Sequence, residues 1–136
     1  MIVETIKYTD YNGVEREEKF YFNLTKTEIM EMELTTEGGL AEMVNKIIET
    51  KDTPSLIKIF KNLILKAYGE KSADGKRFIK RTDDGIELSN RFAQTEAYSQ
   101  LFMKLATDSN AAANFVKGII PADLDNTQVP QLANNN

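Results

Sequence analysis

The sequence predicts an α+β protein that is mostly α, with an N-terminal β-hairpin followed by about five helices and a disordered C-terminal tail. An Asn-Gly pair at positions 12–13 lies between two strand-like runs, which is a strong hairpin signal. Capped amphipathic segments follow, and residues 122–136 are polar, asparagine-rich and without pattern. We expect a single domain over residues 1–120, with the hairpin at 2–22, the helical part at 25–118 and a flexible tail at 121–136.

The hairpin prediction depends on alternating apolar residues in 2–11 and an aromatic-rich run in 14–22. A two-stranded hairpin is marginal in water, so its apolar face is expected to dock on helices. Thr25 and Glu28 then form a capping-box pattern, which predicts a helix through about Leu34. Another helix is predicted over residues 40–50.

Residues 53–69 predict the central helix of the domain. Pro54 suits the first helical turn, and Gly69 is expected to end the helix in a left-handed conformation. Between these ends, apolar side chains cover about half of the helix circumference, and Leu63 lies within that face. Because one neighbouring element cannot cover so wide a face, we expect this helix to be the core around which the others pack.

Residues 70–85 predict an irregular segment with turns at Asp74-Gly75 and Asp84-Gly85. Phe78 and Ile79 between them indicate a short strand or an anchoring pair. The segment also carries four basic residues, which fit either an anionic partner or, preferably on an acidic chain, a solvated loop: Lys76, Arg77, Lys80 and Arg81.

Helix is predicted again over residues 88–106, where the apolar phase breaks near Gln94. The helix either kinks there, or Thr95 caps a new one. A last short helix is expected from about Ser109 to Lys117, with Gly118 stopping it.

The composition excludes several classes of function. Seventeen basic against twenty-one acidic residues give a net charge of −4, which argues against a nucleic-acid surface. The chain has no cysteine and no histidine, so disulfides, thiolate metal sites and histidine-based catalysis are impossible. No segment has the apolar length of a membrane span. We therefore predict a non-enzymatic cytoplasmic protein without cofactor or metal.

Four segments resemble the tail assembly chaperones of long-tailed phages and prophages of Gram-positive bacteria: LKAYG at 65–69, DGKRFIK at 74–80, FAQTEAYSQLF at 92–102 and FVKGIIP at 115–121. The resemblance implies a small, largely helical protein of the host cytoplasm, in infected or lysogenic cells, that is absent from the finished virion. It also implies that the chain binds the tape-measure protein and recruits tail-tube subunits.

A chaperone of this kind needs apolar surface rather than reactive groups, so we expect incompletely covered apolar residues and self-association. Methionine adapts to varied partners, which favours the first two helices as partner-binding surface. The apolar exit from the last helix is the other candidate. The predicted partner-binding residues are Met30, Met32, Met43, Phe115, Val116, Ile119 and Ile120.

Two other classes of function fit the same sequence. The chain could be a structural phage component, such as a head–tail connector subunit. It could also be a small regulatory protein that binds a host partner. Methionine that fills gaps in the core would look the same as methionine at a binding surface.

Overall fold

The structure, a computed structural model, describes residues 1–35 and 53–121. Within these ranges the chain forms a four-stranded sheet and five helices. In chain order the elements are β1 (Ile2–Thr9), β2 (Glu15–Phe22), α1 (Lys26–Thr35), α2 (Thr53–Ala67), β3 (Tyr68–Lys71), β4 (Phe78–Ile79), α3 (Leu88–Phe92), α4 (Glu96–Thr107) and α5 (Ser109–Ile119). The predicted helix at 40–50 and the predicted tail from 122 onward lie outside the described residues.

The prediction of a mostly helical protein with only a hairpin is wrong, because the hairpin is half of a larger sheet. The strands lie in the order β1-β2-β3-β4, and all neighbours are antiparallel. β3 pairs with β2 where Tyr21 lies opposite Gly69, and β4 pairs with β3 where Lys71 lies opposite Phe78. Of the two alternatives for Phe78 and Ile79, the short strand is correct, and it is β4. β3 is too short for a local alternation to be visible, so only pairing across the fold reveals it.

The central helix is confirmed over Thr53–Ala67, but it does not end as predicted. Gly69 is absent from the glycines with positive φ and is instead part of β3. The helix therefore passes directly into a strand without a left-handed residue. A Cβ on Gly69 would lie 2.4 Å from Cε2 of Phe78, so glycine is needed here for close approach of an aromatic ring.

Three turns share one construction, and each ends in a glycine with positive φ: Gly13, Gly75 and Gly85. In the first, the Gly13 amide donates to the Asp10 carbonyl, and the Asp10 amide donates to the Val14 carbonyl. This confirms the hairpin predicted from Asn-Gly. The turns predicted at 74–75 and 84–85 are confirmed in the same way, by amides that donate three residues back.

Two predicted helix starts are confirmed by their hydrogen bonds. The Glu28 amide donates to Oγ1 of Thr25, and the Thr25 amide donates to the Glu28 carboxylate, which completes the capping box. Thr95 accepts from the Tyr98 amide, so the alternative in which Thr95 caps a fresh helix is correct. The last helix runs through Gly118 to Ile119 rather than stopping at the glycine, whose missing side chain makes room for Ile2.

The core lies between one face of the sheet and the helices. Alternation places Ile6 and Phe22 on that inner face, where both are buried. Helices α2, α4 and α5 contribute the largest set of buried side chains, including Leu63, Ile64, Leu101, Leu105, Phe115 and Ile119. The element contacts of β1 are with α4 and α5 as well as with β2. The helices thus cover the inner face of the sheet, and the strand edges and the turns remain at the surface.

Candidate binding surfaces

The apolar exit of α5, predicted as partner-binding surface, is built into the core. Phe115, Val116 and Ile119 are at most 3% exposed, and Ile120 is 7% exposed. The Phe115 ring packs edge-on against Phe22 of the sheet with centroids 5.3 Å apart. In this conformation the four side chains stabilise the fold, and a partner would reach them only if α5 separated from the sheet.

The three predicted methionines have different surroundings. Met32 is 5% exposed and belongs to the core, whereas Met30 is half-buried on α1. Met43 lies outside the described residues. Of the predicted set, Met30 is the described residue with accessible side-chain surface.

The amine of Lys80, which the sequence placed in a solvated loop, is mostly covered and ties three elements together. Nζ of Lys80 donates to the Glu28 carboxylate at 2.7 Å and 2.8 Å, and to the backbone carbonyls of Asn23 (2.8 Å) and Lys66 (2.9 Å). Burial lowers the pKa of Lys80, while its bond with Glu28 acts in the opposite direction. Lys80 therefore stabilises the fold. Its place directly after the apolar residues Phe78 and Ile79 was the one feature of the sequence that could have indicated this role.

Among the residues that the structure describes, strand β2 has one edge that is mostly unpaired. Along one side it pairs with β1 over its whole length, but on the other side it pairs with β3 only at Tyr21 and Phe22. Beyond these positions β3 turns away to pair with β4, and a cleft of about 560 Å³ opens between the two strands. Residues 18–21 form one wall of the cleft and residues 68–73 form the other.

The hydrogen-bond alternation of antiparallel strands shows which groups face this cleft. The Asp10 amide donates to Val14 across the hairpin, and the Asn23 amide donates to Ala67 on the other side. Because paired positions alternate, even-numbered residues of β2 bond to β1 and odd-numbered residues point the other way. The backbone N–H and C=O groups of Glu17 and Lys19 therefore point toward the open edge.

Charged and aromatic side chains surround the open edge. Glu15 and Glu17 are exposed on the outer face of the sheet, and neither forms an ion pair with any residue in the described ranges. Lys71 across the cleft has its Nζ 5.1 Å from the centre of the Tyr21 ring. On the inner face, Phe20 lies 5.3 Å from the ring of Phe92.

Two other features of the described ranges bear on the kind of site. None of the helices within residues 1–35 and 53–121 is both long and apolar enough to cross a membrane. In the same part of the chain, no three acidic side chains come together in a way that could hold a metal ion.

Comparison with protein families identifies the class. Residues 1–135 match the model of a family described as phage tail assembly chaperone, so the chain belongs to this family. The searches of curated proteins and of solved structures gave no match. The family predicted from four segments is thereby confirmed, although the match says nothing of a Gram-positive host. The chain has a general role in phage tail assembly inside the host.

Proposed function

We propose that this protein binds the tape-measure protein of its phage and recruits tail-tube subunits while the tail is assembled. The observation that carries the proposal is the family match over residues 1–135. The surfaces of the described structure are in keeping with it, because backbone groups along β2 and a half-buried methionine on α1 remain available to a partner. Such contacts need no chemical step, so the proposed role is non-catalytic.

The apolar contact with a partner is proposed to start at Met30, since this side chain is accessible without any opening of the core. The apolar exit of α5 joins the contact only after α5 moves, and it consists of Phe115, Val116, Ile119 and Ile120. Moving α5 costs about 1.5–3 kcal/mol for each large side chain that leaves the core. Met32 is proposed to support the position of α1 from within the core. Self-association and action in the cytoplasm are part of the same proposal.

The test is co-expression with the tape-measure protein of the same phage, followed by purification through a tag on the tape-measure protein. We expect the two proteins to co-purify, and the tail-tube protein to join them when it is also expressed. A Met30→Ser variant should weaken the complex, whereas Met103→Ser, which changes a methionine that is 57% exposed on α4, should not.

Two results would overturn the proposal. The first is failure to co-purify together with normal tails after deletion of the gene. The second is the protein in stoichiometric amount in purified virions, measured by mass spectrometry, because that result identifies a structural component. Loss of tails after deletion with no protein in the virion supports the chaperone role.

A further inference from the structure

We propose that the open edge of β2 binds an extended segment of a tail-protein partner by strand addition, and that this segment carries basic residues at alternate positions. The inference deepens the proposed function and rests on it for the identity of the partner. An unpaired strand edge is a template for another chain, which gains affinity from main-chain hydrogen bonds and specificity from alternate side chains. The donors and acceptors of Glu17 and Lys19 form that template.

The charges on the edge favour a basic segment. Glu15 and Glu17 are two residues apart, so they project from the same face of the sheet at the side-chain period of a strand. Basic residues two positions apart on an added strand would lie directly beside these free carboxylates. Two lysines lie on the same face: Lys7 opposite Glu17 on β1, and Lys19 two residues further along β2. Neither forms an ion pair with Glu15 or Glu17 in the described ranges, so the edge is acidic only at these two positions. Acidic residues beside them on an added strand would meet repulsion.

The inner side of the edge adds an apolar requirement. Phe20 is half-buried at the cleft, and Tyr68 in the opposite wall stacks on Phe92 with ring centroids 4.3 Å apart. A side chain opposite Phe20 would extend this aromatic cluster. In an antiparallel added strand, the position opposite Phe20 comes three residues before the one opposite Glu17 and five before the one opposite Glu15. The expected motif is an apolar residue with basic residues three and five positions later.

A second copy of the chain fits the edge less well. Pairing two copies of β2 about Glu17 would place these two carboxylates opposite each other. It would also bring the turn at Gly13 of one copy opposite Tyr21 of the other, a position that Gly69 already occupies. The cleft therefore suits an unfolded segment better than the edge of another folded domain.

The probe is a blocked ten-residue peptide of threonine with valine at one position and lysine three and five positions later. Amide signals of the full-length, isotope-labelled protein are followed by NMR during titration. We expect the largest shifts at Glu17 and Lys19, and no binding by the peptide with glutamate in place of lysine. Binding should weaken as salt is raised, since both carboxylates are exposed.

Matched variants test the mode of binding. Glu17→Pro removes a donor on the open edge of β2, and Thr5→Pro removes an equivalent donor from the outer edge of β1 without changing a charge. We expect the first to abolish peptide binding and the second to preserve it. A double variant, Glu15→Gln with Glu17→Gln, keeps the backbone and should weaken binding by about three- to tenfold. This double variant decides the outcome if the proline variants do not fold.

Several results would overturn the inference. These are no peptide binding, shifts that map to another surface, equal binding by Glu17→Pro and Thr5→Pro, or unchanged affinity in the double variant. A dimer in sedimentation that Glu17→Pro abolishes would assign the edge to a second copy and also overturn it. If peptides fail while the tape-measure protein still co-purifies, the edge is wrong and the function stands. Peptide binding without co-purification leaves the edge site and removes the proposed function.

Discussion

Replacing Lys80 with methionine tests whether one mostly covered amine joins the sheet to two helices. The wild-type amine is bonded to the Glu28 carboxylate and to two backbone carbonyls, and the side chain is only 15% exposed. A hydrogen bond to a charged group contributes about 1.5–3 kcal/mol, and loss of one partner from a buried ion pair costs about 3–5 kcal/mol. Glu28 is 24% exposed and regains some hydration, so we expect Lys80→Met to lower the free energy of unfolding by about 2–4 kcal/mol.

The measurement is urea unfolding followed by circular dichroism at neutral pH. Lys104→Met is the matched control, because its amine is 3.4 Å from Glu4 and its side chain is 55% exposed. The control should cost less than about 1 kcal/mol. A loss below about 0.5 kcal/mol for Lys80→Met, or a loss equal to that of the control, would refute the reasoning.

Three further outcomes are expected. Gly69→Ala should destabilise by about 1–3 kcal/mol, more than Gly118→Ala, because its new Cβ would meet a backbone oxygen as well as the Phe78 ring, whereas that at position 118 would meet the side chain of Ile2; equal unfolding free energies would contradict this. Leu63→Ala should cost about 2–5 kcal/mol in the same assay, since Leu63 is 2% exposed in the central helix; a change below about 0.5 kcal/mol would show that the position is not core. Burial raises the pKa of Tyr68 from 10.0 to about 12, so its contribution to stability is complete below pH 10 and is lost as pH rises to 12. Tyrosinate absorbance should show a group that titrates near pH 12 and that Tyr68→Phe removes; an unchanged titration in the variant would contradict this.

The sequence by itself determined the local elements. Asn12-Gly13 predicted the hairpin because glycine supplies the positive φ of its turn, which is 81°. Thr25 with Glu28 and Thr95 predicted helix starts because their side chains complete backbone hydrogen bonds within three residues. The spacing of apolar residues predicted α2. In each case the physical cause lies between neighbours in the chain, so it is visible in the residues.

The tertiary structure alone decided how these elements combine. Gly69 resembles a helix stop, yet pairing with Tyr21 and contact with Phe78 make it a strand residue. Lys80 resembles a solvated cation, yet its partners are 14 to 57 residues away along the chain. The apolar exit of α5 is likewise buried by a sheet whose first two strands lie far away, near the start of the sequence. The open edge of β2 exists because β3 leaves it after two pairs, and a departure of that kind depends on contacts between distant residues, which no local pattern records.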